Sequence, residues 1–136
     1  MQKFSSDIVY NNQYPEFITL RIRGEVNIGT LEHIEKNLES IFGTCGGKKI
    51  LLDLTETNYV SSSGWSLFLI AYKRIHDLGG KFLLTGMNAE VYNAFELLEF
   101  HFMEYYPDIS TAFREGLKKP ALAAPGSPLK IKVGKS

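Results

Sequence analysis

Cysteine occurs once, at Cys45, so no disulfide can form within the chain and a reducing compartment is the expected setting. Long apolar runs are also missing. The longest, Trp65–Tyr72, falls far short of the roughly 20 residues a bilayer span needs, so no transmembrane segment is expected. No basic region followed by an apolar stretch opens the chain, so no secretory signal is expected and the protein should be soluble and cytoplasmic. Metal-ligand spacing is absent: His33, His76 and His101 are isolated, and neither Cys-x-x-Cys nor His-x-x-x-His occurs. No phosphate-loop signature is present, because Gly43-Thr44-Cys45-Gly46-Gly47-Lys48-Lys49 leads into a strand pattern rather than a helix. No metal or other cofactor is expected.

A basic face is lacking as well. The chain up to Glu115 holds all fifteen acidic residues but only ten of the fifteen Lys and Arg, which leaves it about five charges negative. That balance argues against nucleic acid, whose binding relies on clustered cations. The remaining lysines, Lys118, Lys119, Lys130, Lys132 and Lys135, lie in or beside a Pro-, Ala- and Gly-rich end. Residues 1–118 therefore read as one domain and 119–136 as a flexible basic tail.

The apolar pattern predicts a small α/β domain. Phe4–Tyr10 and Phe17–Arg23 read as a hairpin, the second strand alternating Ile18, Leu20 and Ile22 against Thr19, Arg21 and Arg23, and hence half-buried. Residues 24–30 read as a glycine-punctuated loop, with Thr30 as the cap of an amphipathic helix carrying Leu31, Ile34, Leu38, Ile41 and Phe42. Ile50–Leu54 and Phe82–Leu84 are compact runs expected to be buried on both faces. Between them, a helix is predicted from about Gly64 to Leu78, stopped by Gly79-Gly80. A third helix opens near Asn88 with Val91, Ala94, Phe95 and Leu98 on one face. An edge strand over Phe102–Tyr106 and a short helix through Ala112, Phe113 and Leu117 follow. Strand and helix alternate, which implies a largely parallel sheet; the hairpin adds an antiparallel part. The expected fold is a mixed sheet of about five strands with helices mainly on one face.

The organising stretch runs from Leu51 to Trp65: an apolar strand, the polar residues Thr55–Tyr59, then Ser61-Ser62-Ser63-Gly64 before a second apolar segment. Serine favours a helix N-cap, and the unpaired N–H groups of a first helical turn also suit a phosphate. A hydrolase nucleophile does not fit. The Gly-x-Ser-x-Gly frame is missing, and His76, fourteen positions beyond Ser62 on the same predicted helix, would lie about 21 Å away at 1.5 Å per residue.

Asp53-Leu54-Thr55, Asn58-Tyr59-Val60 and Ser61-Ser62-Ser63-Gly64 together resemble the signature of the STAS domain of bacterial anti-sigma factor antagonists. Gly24-Glu25-Val26-Asn27 is similar to that family's Gly-Glu-Leu-Asp, and Gly86-Met87-Asn88 with Phe95-Glu96-Leu97-Leu98 resembles its third-helix region. The resemblance spans roughly Ile8 to Leu117. It implies a STAS-like fold and a non-enzymatic binding switch. The unphosphorylated antagonist binds an anti-sigma factor serine kinase, phosphorylation of the serine matching Ser62 releases it, and a phosphoserine phosphatase resets it. It further implies a partner interface built from Asn27, Tyr59, Ser61, Ser63, Gly64 and Trp65. Ser61 stands where the family motif has an acid, Asn27 where it has Asp, and Trp65 where a small aliphatic residue is usual. Trp65 reads either as core or, if partly exposed, as an interface anchor. The alternative to a switch is a non-switching STAS adaptor subunit of a transporter or other complex. Exposed edge strands leave homodimer formation open.

Overall fold

The computed structural model describes residues 3–44 and 46–118; Cys45 and the sequence-predicted tail over 119–136 lie outside the described residues. The elements run β1 (Ser5–Val9), β2 (Phe17–Val26), α1 (Leu31–Thr44), β3 (Lys49–Val60), α2 (Ser62–Asp77), β4 (Lys81–Thr85), α3 (Ala89–Leu98), β5 (Glu104–Tyr106) and α4 (Ile109–Lys118). The five strands form one sheet in the order β1-β2-β3-β4-β5. β1 pairs antiparallel with β2, and every other neighbour is parallel. The predicted mixed sheet is thus present, and it is laid out in chain order.

The two faces are covered unequally. On one, Ile34, Leu38 and Ile41 of α1, Trp65, Phe68, Ala71 and Ile75 of α2 and Val91 and Phe95 of α3 pack on Ile18, Leu20, Ile22, Ile50, Leu52, Leu54, Phe82 and Leu84. On the other, Ala112 and Phe113 of α4 cover Phe17, Leu51, Leu83 and Tyr106. This second layer is why the apolar runs of β3 and β4 are continuous: successive residues face opposite sides, and both sides are dry. It also corrects the half-buried reading of β2. Phe17 and Thr19, opposite the Ile18, Leu20 and Ile22 face, are both buried, Phe17 against Phe113 of α4, and only from Arg21 onward does the face open. There Arg23 Nε lies 3.1 Å from Glu56 Oε1, within ion-pair distance but not aligned as a hydrogen bond.

The largest departures concern the strand ends. Residues 24–26, read as loop, belong to β2, and Thr55–Val60, read as the approach to a helix, belong to β3. Gly24 pairs with Thr57 after one register shift, Glu25 and Val26 pair with Tyr59 and Val60 after a second, and Thr57 Oγ1 donates to the Ile22 carbonyl at 2.8 Å. Gly24 takes φ +92° at the second irregularity, a conformation side chains resist, while its backbone passes against Phe4. Thr30 does not cap α1 as expected. Its hydroxyl turns back to donate to the Glu25 carbonyl and accept from the Asn27 N–H, closing the 27–30 turn instead. Asn88 does cap α3, accepting from Val91 N–H at 2.8 Å. Leu98, expected on the buried face of α3, is exposed, because the helix ends there and Glu99 turns into the left-handed region. Among the described residues no helix is long and apolar enough to cross a membrane.

Candidate functional site

β3 outruns β4, so its end at Val60 stands beside Val26 at the end of β2, and the chain turns there directly into α2. Ser61 is extended (φ −77°, ψ 170°) and is the N-cap, one residue before the helix. Its N–H donates to the Val26 carbonyl at 2.9 Å, its carbonyl accepts the Trp65 N–H at 3.0 Å, and its hydroxyl accepts the Gly64 N–H at 3.1 Å. The helix therefore begins two residues earlier than the apolar pattern predicted.

The three serines have different surroundings. Ser61 caps, Ser63 places its hydroxyl 2.9 Å from that of Ser61, and Ser62 is exposed with a hydroxyl that makes no hydrogen bond among the described residues. The backbone N–H groups of Ser62 and Ser63, which open a 16-residue helix without an acidic residue in its first turn, are left without acceptors there. The dipole of α2 adds a partial positive charge at the same spot.

Two residues assigned to an interface turn inward. Trp65 is 3% exposed: its ring stands edge-on to Phe68 (87°, centroids 5.7 Å apart) and lies 5.6 Å from Phe95. As the fourth residue of α2 it lies on the helix face that also buries Phe68, so it is core and not the surface anchor its type suggested. Gly64 is buried for a steric reason. A methyl there would come within 2.6 Å of Val26 Cγ1 and 2.9 Å of Val60 Cγ1, so glycine lets α2 approach the ends of both strands. Tyr59, by contrast, is half exposed, and Asn27 organises the neighbouring loop, its Oδ1 accepting the Gly29 N–H and its Nδ2 donating to Glu25. Sequence reasoning missed Ile28, 83% exposed in that loop. An aliphatic residue in an otherwise polar turn was the available signal.

No histidine hydrogen-bonds any of the three serines among the described residues, and no group of three or more His, Cys, Asp or Glu is placed to hold a metal. Asp53, at the start of the motif, is buried and committed to its own strand, accepting from both the N–H and the hydroxyl of Thr55.

A five-stranded mixed sheet, three helices on one face, and an exposed hydroxyl at a helix start beside two strand ends define a small α/β module that presents a polar turn. The STAS domain family model matches residues 10–112, and the chain belongs to the STAS domain family. The anti-sigma-B factor antagonist of Listeria monocytogenes is 26% identical over 82 residues, covering 60% of this chain and 71% of that protein. An anti-sigma factor antagonist from Mycobacterium paratuberculosis has the same fold, with TM-score 0.70 and 14% identity over 82% of this chain and 95% of that one. So does the anti-sigma factor antagonist SpoIIAA in its unphosphorylated form, at TM-score 0.61 and 16% identity over 85% of this chain and 98% of that one. Its phosphorylated form superposes equally well, at TM-score 0.60.

Proposed function

We propose that this protein is a cytoplasmic anti-sigma factor antagonist whose grip on its partner is controlled at Ser62. Unphosphorylated, it binds an anti-sigma factor that is also a serine kinase. The Ser62 hydroxyl oxygen attacks the γ-phosphorus of ATP, the bond to ADP breaks, and the hydroxyl proton passes to the kinase's base. The phosphorylated form lets go, and a phosphoserine phosphatase restores it. The observation that carries this reading is the division of labour among the serines: Ser61 and Ser63 are occupied in the cap, while Ser62 is exposed and its hydroxyl makes no hydrogen bond among the described residues.

Magnitudes select release over refolding. A phosphate adds about −1.5 to −2 charges. Beside the first-turn N–H groups it gains about 0.3–1 kcal/mol from the helix dipole, so α2 should persist. A partner pressed on the same spot must desolvate that charge or face it with its own, at a cost of several kcal/mol. The interface term wins. Ser61 in the acid position makes the unmodified turn neutral, so the added phosphate has no neighbouring carboxylate in that turn to repel it.

Incubation with the anti-sigma factor kinase and ATP should give stoichiometric modification that maps to Ser62 and vanishes in Ser62→Ala. Ser62→Asp should weaken partner binding about a hundredfold, since each 1.4 kcal/mol is a factor of ten. Wild-type affinity in Ser62→Asp, or no modification of Ser62 by the kinase and ATP while a stable partner is still recovered from cell extract, would replace the switch with a non-switching STAS adaptor.

A further inference from the structure

A second polar surface adjoins the 27–30 loop at Gly29 and Thr30. A cavity of about 580 Å³ opens between the start of β1 and the first half of α1, lined by Lys3, Phe4, Ser5, Ser6, Gly29, Thr30, His33, Lys36 and Asn37. That volume falls within the range of small-ligand pockets, roughly 300–1,000 Å³. Among the described residues every ionisable group lining it is basic and no carboxylate lines it, although the chain up to Glu115 is net acidic. His33, Lys36 and Asn37 come together because they are three and four positions apart on one helix face. The acidic residues Glu32, Glu35 and Glu39 of α1 do not line the cavity.

The lining groups are also uncommitted. Neither Lys3 nor Lys36 forms an ion pair among the described residues. Ser6 donates its hydroxyl to Asn37 Oδ1, which fixes the amide so that its NH₂ donors, without an acceptor among the described residues, remain for a ligand. Phe4 lies 5.7 Å from the His33 ring as an apolar wall, whereas Ser5, next to Ser6 in β1, faces the other side of the sheet and is not part of the donor set. Thr30 is not part of the donor set, because its hydroxyl is spent on Glu25 and Asn27.

We propose that this cavity binds a phosphate-class oxyanion, as inorganic phosphate or the phosphate group of a small monoester, held by Lys3, Lys36, His33 and Asn37. A tetrahedral anion offers several acceptor oxygens in different directions, which suits ammonium, amide and imidazole donors arriving from the two ends of the cavity better than the two coplanar oxygens of a carboxylate do. The site does not use Ser62 and stands whether or not that residue is phosphorylated.

The test is a titration of the full chain followed by ¹⁵N–¹H NMR at constant pH and ionic strength, with inorganic phosphate, glycerol phosphate and acetate as probes. Saturable shifts are expected at Gly29, Lys36 and the Asn37 side-chain amide, with a dissociation constant on the order of 1 mM for the better phosphate probe. Whichever of the two saturates first identifies the source of the anion. Lys36→Glu and Lys3→Glu should each weaken binding about tenfold or more, as charge reversal replaces attraction by repulsion. If Lys36→Glu disturbs the far-UV spectrum, Lys36→Gln, which keeps a good helix former, takes its place. A drift that never saturates, shifts of the same size in the variants, or equal saturation with acetate would each overturn the proposal.

Discussion

Two polar clusters in this molecule are built on opposite plans. At the start of α2, Ser61, Ser63 and Gly64 satisfy one another over two or three residues of chain, and Ser62 is left over at the surface. At the β4–β5 edge, Lys81 Nζ lies 3.2 Å from Glu104 Oε1 with both side chains only about a tenth exposed, and the Tyr106 hydroxyl donates to the other Glu104 oxygen. That cluster joins residues from different strands and is buried. The serine turn can therefore gain a charge without disturbing anything beneath it. The Glu104 cluster holds the shortest strand to the sheet and has no such latitude. Modification belongs where the hydrogen bonding is local and exposed; anchoring belongs where it is long-range and dry.

The sharpest break in that contrast is Glu104→Ala, which leaves the buried Lys81 ammonium without this carboxylate. It should cost about 3 kcal/mol in urea unfolding, and Lys81→Met combined with Glu104→Leu should recover much of the loss. The same edge should weaken in base. Burial raises the phenol pKa of Tyr72, Tyr105 and Tyr106 above the ordinary 10.0, with the Glu104 carboxylate adding to the rise at Tyr72 and Tyr106. A raised folded value means that the stabilisation is fully present below pH about 10 and is lost as pH climbs through the folded values, so unfolding free energy should fall on that limb. Partner binding at pH 7 in Glu104→Ala, measured below its unfolding midpoint, should match wild type.

At the serine turn the effects shrink. Gly64→Ala forces a methyl against Val26 and Val60; overpacking of about 1–3 kcal/mol outweighs the gain of about 1 kcal/mol in helix propensity, for a net loss of about 1 kcal/mol. Ser61→Ala removes the cap and should cost about 1 kcal/mol, visible as a lower thermal midpoint. Ser62→Ala should change stability by less than about 0.5 kcal/mol, because its hydroxyl holds nothing. A large loss from Ser62→Ala, or a negligible one from Glu104→Ala, would dissolve the contrast between the two clusters.

Much of this was legible in the chain. The alternation of Ile18, Leu20 and Ile22, the apolar runs of β3 and β4, and the spacing of Ile34, Leu38 and Ile41 marked the core faces, because side-chain periodicity is a local property of backbone geometry. That Asn88 opens α3 and that a serine caps α2 could be read from residue type, though not which of the three serines. The location of the serine turn between a buried strand and a helix was legible for the same reason.

Other features had no local signal. Thr55–Val60 is strand because β2 continues, through two irregularities, to supply partners for it; nothing in Thr-Glu-Thr-Asn-Tyr announces that neighbour. Phe17 is buried because Phe113 of α4, far along the chain, packs edge-on against it. Which of three adjacent serines would be free depended on the angle at which β3 delivers the chain into α2, and Trp65 was assigned to core only when Phe68 and Phe95 closed around it. The sequence by itself determined the order of elements, the faces they bury and the place of the polar turn, since each follows from periodicity and capping over a few residues. The tertiary structure alone decided how far the strands run, which side chains the turn exposes and which it hides, since those follow from contacts between segments far apart in the chain.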